Sequence, residues 1–299
     1  AARWAAAEAQ IWGLPLCLLA VIALDYFANY PRERSLARAG YWKRVEHGIK
    51  MSLQSLALSS AAIQDNPKAS RIPIAEIFIE GKDLDAIESE LPKSGLIEHP
   101  AIAKVGGDVF KADVRLRGDS VNHWAFPQKS WRIDISGTET YKGIEKFNLA
   151  LPRTASQMEN WIGYTIARSM GLLTPYAELV HFRLNRRFDG VRLLFEQPNQ
   201  DMLLRNNLPV GRIFHGDIDT EAVYGGKERL ALYREAAAWR IDAPPGDPNV
   251  KPFEMEQLIA AIKESDPRVL YSKLSQILDI DATARYMAML ELVASKHID

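Results

Sequence analysis

The stretch Arg115-Leu116-Arg117-Gly118-Asp119-Ser120, followed by Pro127-Gln128-Lys129-Ser130-Trp131-Arg132-Ile133-Asp134, reads as a strand, a glycine turn, a small-polar loop and a second strand. Side chains alternate between the faces of a strand, so Lys129, Trp131, Ile133 and Ile135 share one face. That face is otherwise apolar and reads as the buried one. A lysine there is costly unless a charge compensates it. Phosphate groups are such charges, with a carboxylate holding the amine in their absence. Gly118 would let backbone N–H groups approach an anion closely, and the lysine would add a point charge. Two plainer readings stand beside this one. The loop can be a simple strand-to-strand turn, and Lys129 can sit at a strand edge and reach solvent.

Upstream, Ile72 to Glu80 reads as a strand and Asp83 to Leu91 as a short helix stopped by Pro92. Gly106-Gly107-Asp108 is a hairpin turn between Ile102–Val105 and Val109–Leu116. Downstream come the strand Lys146–Leu151, a helix from Ser156 to Met170 with Thr154 and Ser156 as N-cap candidates, and a hairpin. The hairpin arms are Val180–Asn185 and Gly190–Gln197. Beyond Gln200 the pattern is mainly helical, over Gln200–Asn206, Lys227–Arg240, Pro252–Glu264, Arg268–Leu278 and Ala282–Ser295. Strands first and helices later predict an α+β architecture. A β-rich lobe joined to a helical lobe is also the plan of protein kinases, with ligand in the cleft between lobes.

The 299 residues allow one sizeable domain and an extension, and 47% hydrophobic with 25% charged residues describes an ordinary globular chain. A net charge of -1 argues against general nucleic-acid binding while leaving room for a nucleotide. The single cysteine, Cys17, excludes an internal disulfide and a cysteine-rich zinc site. Residues 1–30 hold the most apolar segment, flanked by Trp12, Tyr26 and Tyr30, and are expected to form a membrane anchor helix. A helical connector follows over 31–70, with a boundary at Asn66-Pro67. The folded domain is then 71–299. Arg32, Arg34, Arg38, Lys43 and Arg44 follow the apolar segment, which taken literally places the domain in the cytoplasm. The chain reads as a piece, starting at Ala1 without methionine and stopping at Asp299.

These elements together resemble the CotH family of atypical kinases. The resemblance rests on Arg117-Gly118-Asp119-Ser120, the Pro127–Ile133 lysine strand, Phe147-Asn148-Leu149 and the helix ending at Met170-Gly171. It continues through Leu184-Asn185, Gly190-Val191, Leu194-Phe195-Glu196-Gln197 and Phe214-His215-Gly216-Asp217, and it covers roughly residues 72–299. It implies a two-lobed kinase-like fold, ATP and Mg²⁺ as cofactors, and a serine- or threonine-containing envelope protein as acceptor. It also implies an exported protein, which turns the domain to the extracytoplasmic side of the membrane.

Under this resemblance Lys129 holds the phosphates and the loop of Arg117, Gly118, Asp119 and Ser120 covers them. Glu159 is a candidate carboxylate partner for Lys129, or else a solvated residue near a helix N-terminus. Glu196 falls at the connection between lobes, where backbone groups meet adenine; its plainer reading is a solvated strand end. Asp299 takes the place of the aspartate that orients the acceptor hydroxyl and accepts its proton. Asp217 and Asp219 form a D-x-D pair that could take Mg²⁺ or simply be a solvated loop. The metal ligands stay unassigned. The other reading of the same fold is a non-catalytic scaffold, a pseudokinase of the cell envelope. No G-x-S-x-G, H-E-x-x-H, paired C-x-x-C or Walker A sequence points elsewhere.

Overall fold

The computed structural model describes residues 71–299 except 90, 92–93, 119–122, 124–127, 152–158, 217–232, 245, 248–250 and 294–299. The expected anchor and connector, residues 1–70, lie outside that set. Among the described residues no helix is long and apolar enough to cross a membrane.

The fold is α+β. Its strands are β1 (Ile74–Ile79), β2 (His99–Val105), β3 (Asp108–Leu116), β4 (Trp131–Ile135), β5 (Lys146–Ala150), β6 (Ala177–Leu184), β7 (Arg187–Glu196), β8 (Ile213–Gly216) and β9 (Trp239–Asp242). The helices are α1 (Gly81–Glu88), α2 (Glu159–Ser169), α3 (Gln200–Arg205), α4 (Phe253–Ala261), α5 (Pro267–Leu274) and α6 (Ile280–Leu292). Seven strands close into a barrel in the order β1-β2-β3-β4-β5-β7-β6, while β8 and β9 form a separate ribbon. Barrel closure removes the exposed strand edges that invite mispairing.

By compactness the chain divides into two units, one running to Arg132 and adding Val180–Arg192, the other holding Ile133–Leu179 and Leu193 onward. In the first, β1 pairs antiparallel with β2 and parallel with β6, and β2 pairs antiparallel with β3. The β2–β3 turn is built on Gly106 at φ 63, a left-handed conformation that favours glycine. The apolar residues Ile77, Val114, Leu116, Trp131 and Phe182 are all fully buried. Each such burial contributes roughly 1.5–3 kcal/mol. At the far end of α1, Ile87 is fully buried, while Lys82, at its start, is exposed.

In the second unit β5 pairs antiparallel with the end of β7, from Phe147↔Glu196 to Ala150↔Leu193. Ala150, Leu193 and Phe195 form a buried cluster against which Trp161 and Tyr164 of α2 pack. The α3 helix starts at Asn199, whose side chain accepts from the Met202 N–H. Asp279 caps α6 in the same way through the Ala282 N–H.

One expected element is corrected. The Ala- and Leu-rich run 227–240 predicts a helix, yet Ala236–Ala238 is a single 3-10 turn and Trp239 begins β9. That strand pairs with β8, so Phe214-His215-Gly216 is strand as well, from Ile213↔Asp242 to Gly216↔Trp239. Backbone pairing between the two segments overrides local helix propensity.

Candidate functional site

Lys129 precedes β4 by two residues and is buried, with its side chain 8% exposed. Its ammonium lies 3.0 Å from Oε1 of Glu88, the last residue of α1, whose own side chain is 49% exposed. Glu88, not singled out in the sequence, is thus a carboxylate partner of Lys129. Glu159, expected in that part, opens α2, and its side chain lies outside the described residues.

The loop before Lys129 is stapled at its ends. The Arg117 N–H donates to the Ser130 carbonyl at 2.9 Å, and the Ser130 N–H donates to the His123 carbonyl at 2.7 Å. The His123 ring Nδ1 and the Ser130 hydroxyl lie 2.8 Å apart, both residues buried. Gly118 sits at φ +99, and a Cβ there would lie 2.3 Å from Cδ2 of His123. Glycine is therefore required by two independent demands, backbone conformation and the packed imidazole. The place that a side chain would take at position 118 is thus held by the His123 ring. Asp119 and Ser120 lie outside the described residues, so of the four residues expected to cover phosphates only Arg117 and Gly118 are described.

Next to Lys129 stands a second charged pair. Arg192 is 1% exposed. Its Nη2 donates to Asp189 Oδ2 at 2.6 Å, and its Nη1 donates to the Asp189 carbonyl at 2.6 Å and the Val191 carbonyl at 3.2 Å. Its Nε donates to the Lys129 carbonyl at 3.4 Å, and the guanidinium lies over the Phe182 ring, 5.2 Å from the centroid. Burial lowers the Arg192 pKa from its ordinary value, with Asp189 opposing. Burial likewise raises Asp189, with Arg192, Lys129 and Arg187 opposing in that order. Gln128 adds a donor 3.5 Å from the Asp189 carbonyl.

Glu196 ends β7 fully buried. Its carboxylate pairs closely with Arg205 of α3 and accepts from the Tyr176 N–H at 3.1 Å. The carboxylate is not solvated; it ties a strand end to the helix that follows.

The second unit has its own lysine site. Lys142 stands at φ 55 beside Gly143 at φ 76, in a tight turn closed by Tyr141 and Ile144. Its ammonium lies 3.1 Å from both Glu178 oxygens, 5.0 Å from the Tyr141 ring centroid and 4.8 Å from that of Tyr176. The Tyr141 hydroxyl donates to Glu178 at 2.7 Å. Partial burial works against the charge on Lys142, yet hydrogen bonds with Tyr176, Tyr141 and Glu178 outweigh it and raise its pKa. Burial, then the bond to Glu178, pushes Tyr141 up to about 12. A cavity of about 360 Å³ beside this turn is lined by Thr140, Lys142, Gly143, Glu145, Asp201, Leu204 and Arg205.

Among the described residues no group of three or more His, Cys, Asp or Glu stands ready for a metal ion. Asp217, Asp219 and Asp299 lie outside the described residues.

A barrel-based α+β chain with a buried, carboxylate-held lysine matches the family model described as CotH kinase protein over residues 114–296. This chain belongs to the CotH kinase protein family. A relative is the inner spore coat protein H of Bacillus subtilis (strain 168), 23% identical over 220 residues, which are 73% of this chain and 59% of that protein. The chain thus spans about three fifths of that relative's length. Lys129, Asp189, Arg192 and Glu196 all fall inside the family match, while Glu88 precedes it.

Proposed function

We propose that this chain carries the nucleotide-holding part of an atypical kinase, which transfers the γ-phosphate of ATP to a serine or threonine of an envelope or surface protein. One observation carries the reading: a buried ammonium, Lys129, is held by a half-exposed helix carboxylate, Glu88. Protein kinases hold the nucleotide phosphates with a lysine paired to a helix glutamate, and the two-lobed kinase layout is part of this proposal. A point charge in a dry site is worth more to a phosphate than the same charge in water. When bound, Mg²⁺ and ATP would supply the transferable phosphoryl group and neutralise its charge.

Lys129 binds and orients the phosphates. Arg117, Gly118, Asp119 and Ser120 form the loop beside them. Glu196 fixes the strand end where the adenine edge would meet backbone, and Glu159 keeps its proposed place near the nucleotide. Asp299 accepts the proton of the acceptor hydroxyl as the oxygen attacks phosphorus. The anchor over 1–30 and an outward-facing domain belong to the same proposal. The relative's name is that of an inner spore coat protein, and an acceptor in a coat or envelope layer would suit such a place.

The test is transfer of labelled phosphate from γ-labelled ATP with Mg²⁺ by the full-length protein, beside Lys129→Ala and Asp299→Asn. Incorporation by the wild type, lost in both variants, is expected. No incorporation by a well-folded wild type, with no melting shift on adding ATP, would replace the enzyme with a non-catalytic scaffold.

A further inference from the structure

In a regular strand, residues i and i+3 point to opposite faces. Asp189 and Arg192 of β7 nevertheless form an ion pair at 2.6 Å. Between them stands Gly190 at φ 95, a left-handed conformation within the strand. A glycine of this kind breaks the alternation and re-aims the side chains on either side, as in a β-bulge. The result is a guanidinium 1% exposed, which an ordinary surface hairpin does not need. Burying a charge this deeply is expensive, and replacing such a pair with apolar groups is often neutral or stabilising. Stability alone is therefore a poor reason for it.

The placement supplies a better reason. Arg192 reaches the Lys129 carbonyl through Nε, and the Asp189 carbonyl takes donors from both Arg192 and Gln128, the residue before Lys129. Asp189 also feels the Lys129 charge directly. The pair is thus tied into the main chain at Lys129 and to the residue before it.

We propose that Asp189 and Arg192, brought together by Gly190, are positioning residues that set the place of the Lys129 ammonium for phosphate. This rests on the reading of Lys129 as the phosphate-holding group. A guanidinium fork suits the task because it donates in fixed directions from one rigid plane, which a lysine cannot reproduce.

An acyl-phosphate derivative of ATP reads Lys129 itself. Its amine attacks the acyl carbonyl, the acyl–phosphate bond breaks, ATP leaves, and mass spectrometry locates the acylated lysine. The full chain would be compared with Asp189→Asn, which keeps an acceptor without the charge, and Arg192→Lys, which keeps the charge without the fork. Val180→Ala, a core truncation elsewhere in the same unit, controls for loss of stability. Wild type should label at Lys129, blocked by excess ATP. The two site variants should lose about tenfold or more, the scale on which small misplacements act, while Val180→Ala labels like wild type. Unchanged labelling in folded Asp189→Asn and Arg192→Lys overturns the inference and leaves the Lys129 reading in place. Absence of ATP-blocked labelling at Lys129 in wild type removes both.

Discussion

Each unit of this protein holds a lysine against a carboxylate, and the two pairs are built in opposite senses. Lys129 is buried while its partner Glu88 is half exposed, at 8% and 49%. Lys142 is half exposed while its partner Glu178 is largely buried, at 46% and 19%. Lys142 is also satisfied from several sides, by a carboxylate, a phenol and two aromatic rings. That arrangement clips a strained turn shut and leaves the ammonium little more to do. Lys129 shows the reverse, a buried ammonium against a half-exposed carboxylate. Under the proposed function, Lys142 is the structural cation and Lys129 the one that exchanges a carboxylate for phosphate.

The comparison can be strained first at the buried side. Asp189→Ala leaves the Arg192 guanidinium without its carboxylate, and the loss should be about 3 kcal/mol. It would appear as a lower urea midpoint at unchanged slope. A midpoint equal to wild type would mean that Arg192 is compensated without Asp189.

A smaller effect is expected at the other lysine. Glu178→Ala removes the carboxylate from a half-exposed ammonium that retains two aromatic neighbours, so the loss should be about 1 kcal/mol. A loss as large as that of Asp189→Ala would erase the contrast between the two units.

The smallest effect is a titration. Tyr141 is raised from 10.0 to about 12, chiefly by burial and then by its bond to Glu178. A phenol raised on folding stays protonated where the unfolded chain has begun to ionise. Its contribution to stability is therefore complete below pH 10.0 and is lost as pH rises to about 12. Lys142, also raised, loses its contribution on the same alkaline side. Ultraviolet absorbance should show Tyr141 titrating late, and Glu178→Gln should return it part of the way. Ionisation of Tyr141 at the ordinary value would remove the clip.

Much of the fold was legible because local chemistry and tertiary structure agree. Gly106-Gly107-Asp108 announces the β2–β3 hairpin, and the alternation from Trp131 to Ile135 announces β4. The burial of Lys129 followed from the apolar residues around it. Its partner did not, because Glu88 reaches it only through the folding of distant segments, and a glutamate at a helix end looks solvated. The Asp189–Arg192 pair was hidden for a sharper reason: strict alternation separates the two, and only the positive φ of Gly190 joins them. Gly118 was read as letting backbone N–H groups approach an anion, and the sequence alone cannot show that a ring five residues on also packs against it. Residues 236–240 failed as a helix because ribbon pairing with β8 outweighs an alanine run.

The most direct test sets the two lysines against each other. Binding of ATP with Mg²⁺ would be measured by calorimetry for wild type, Lys129→Met and Lys142→Met, each shown to be folded. The account predicts that Lys129→Met loses binding while Lys142→Met keeps wild-type affinity. Equal affinity in both variants, or loss in Lys142→Met alone, would contradict it.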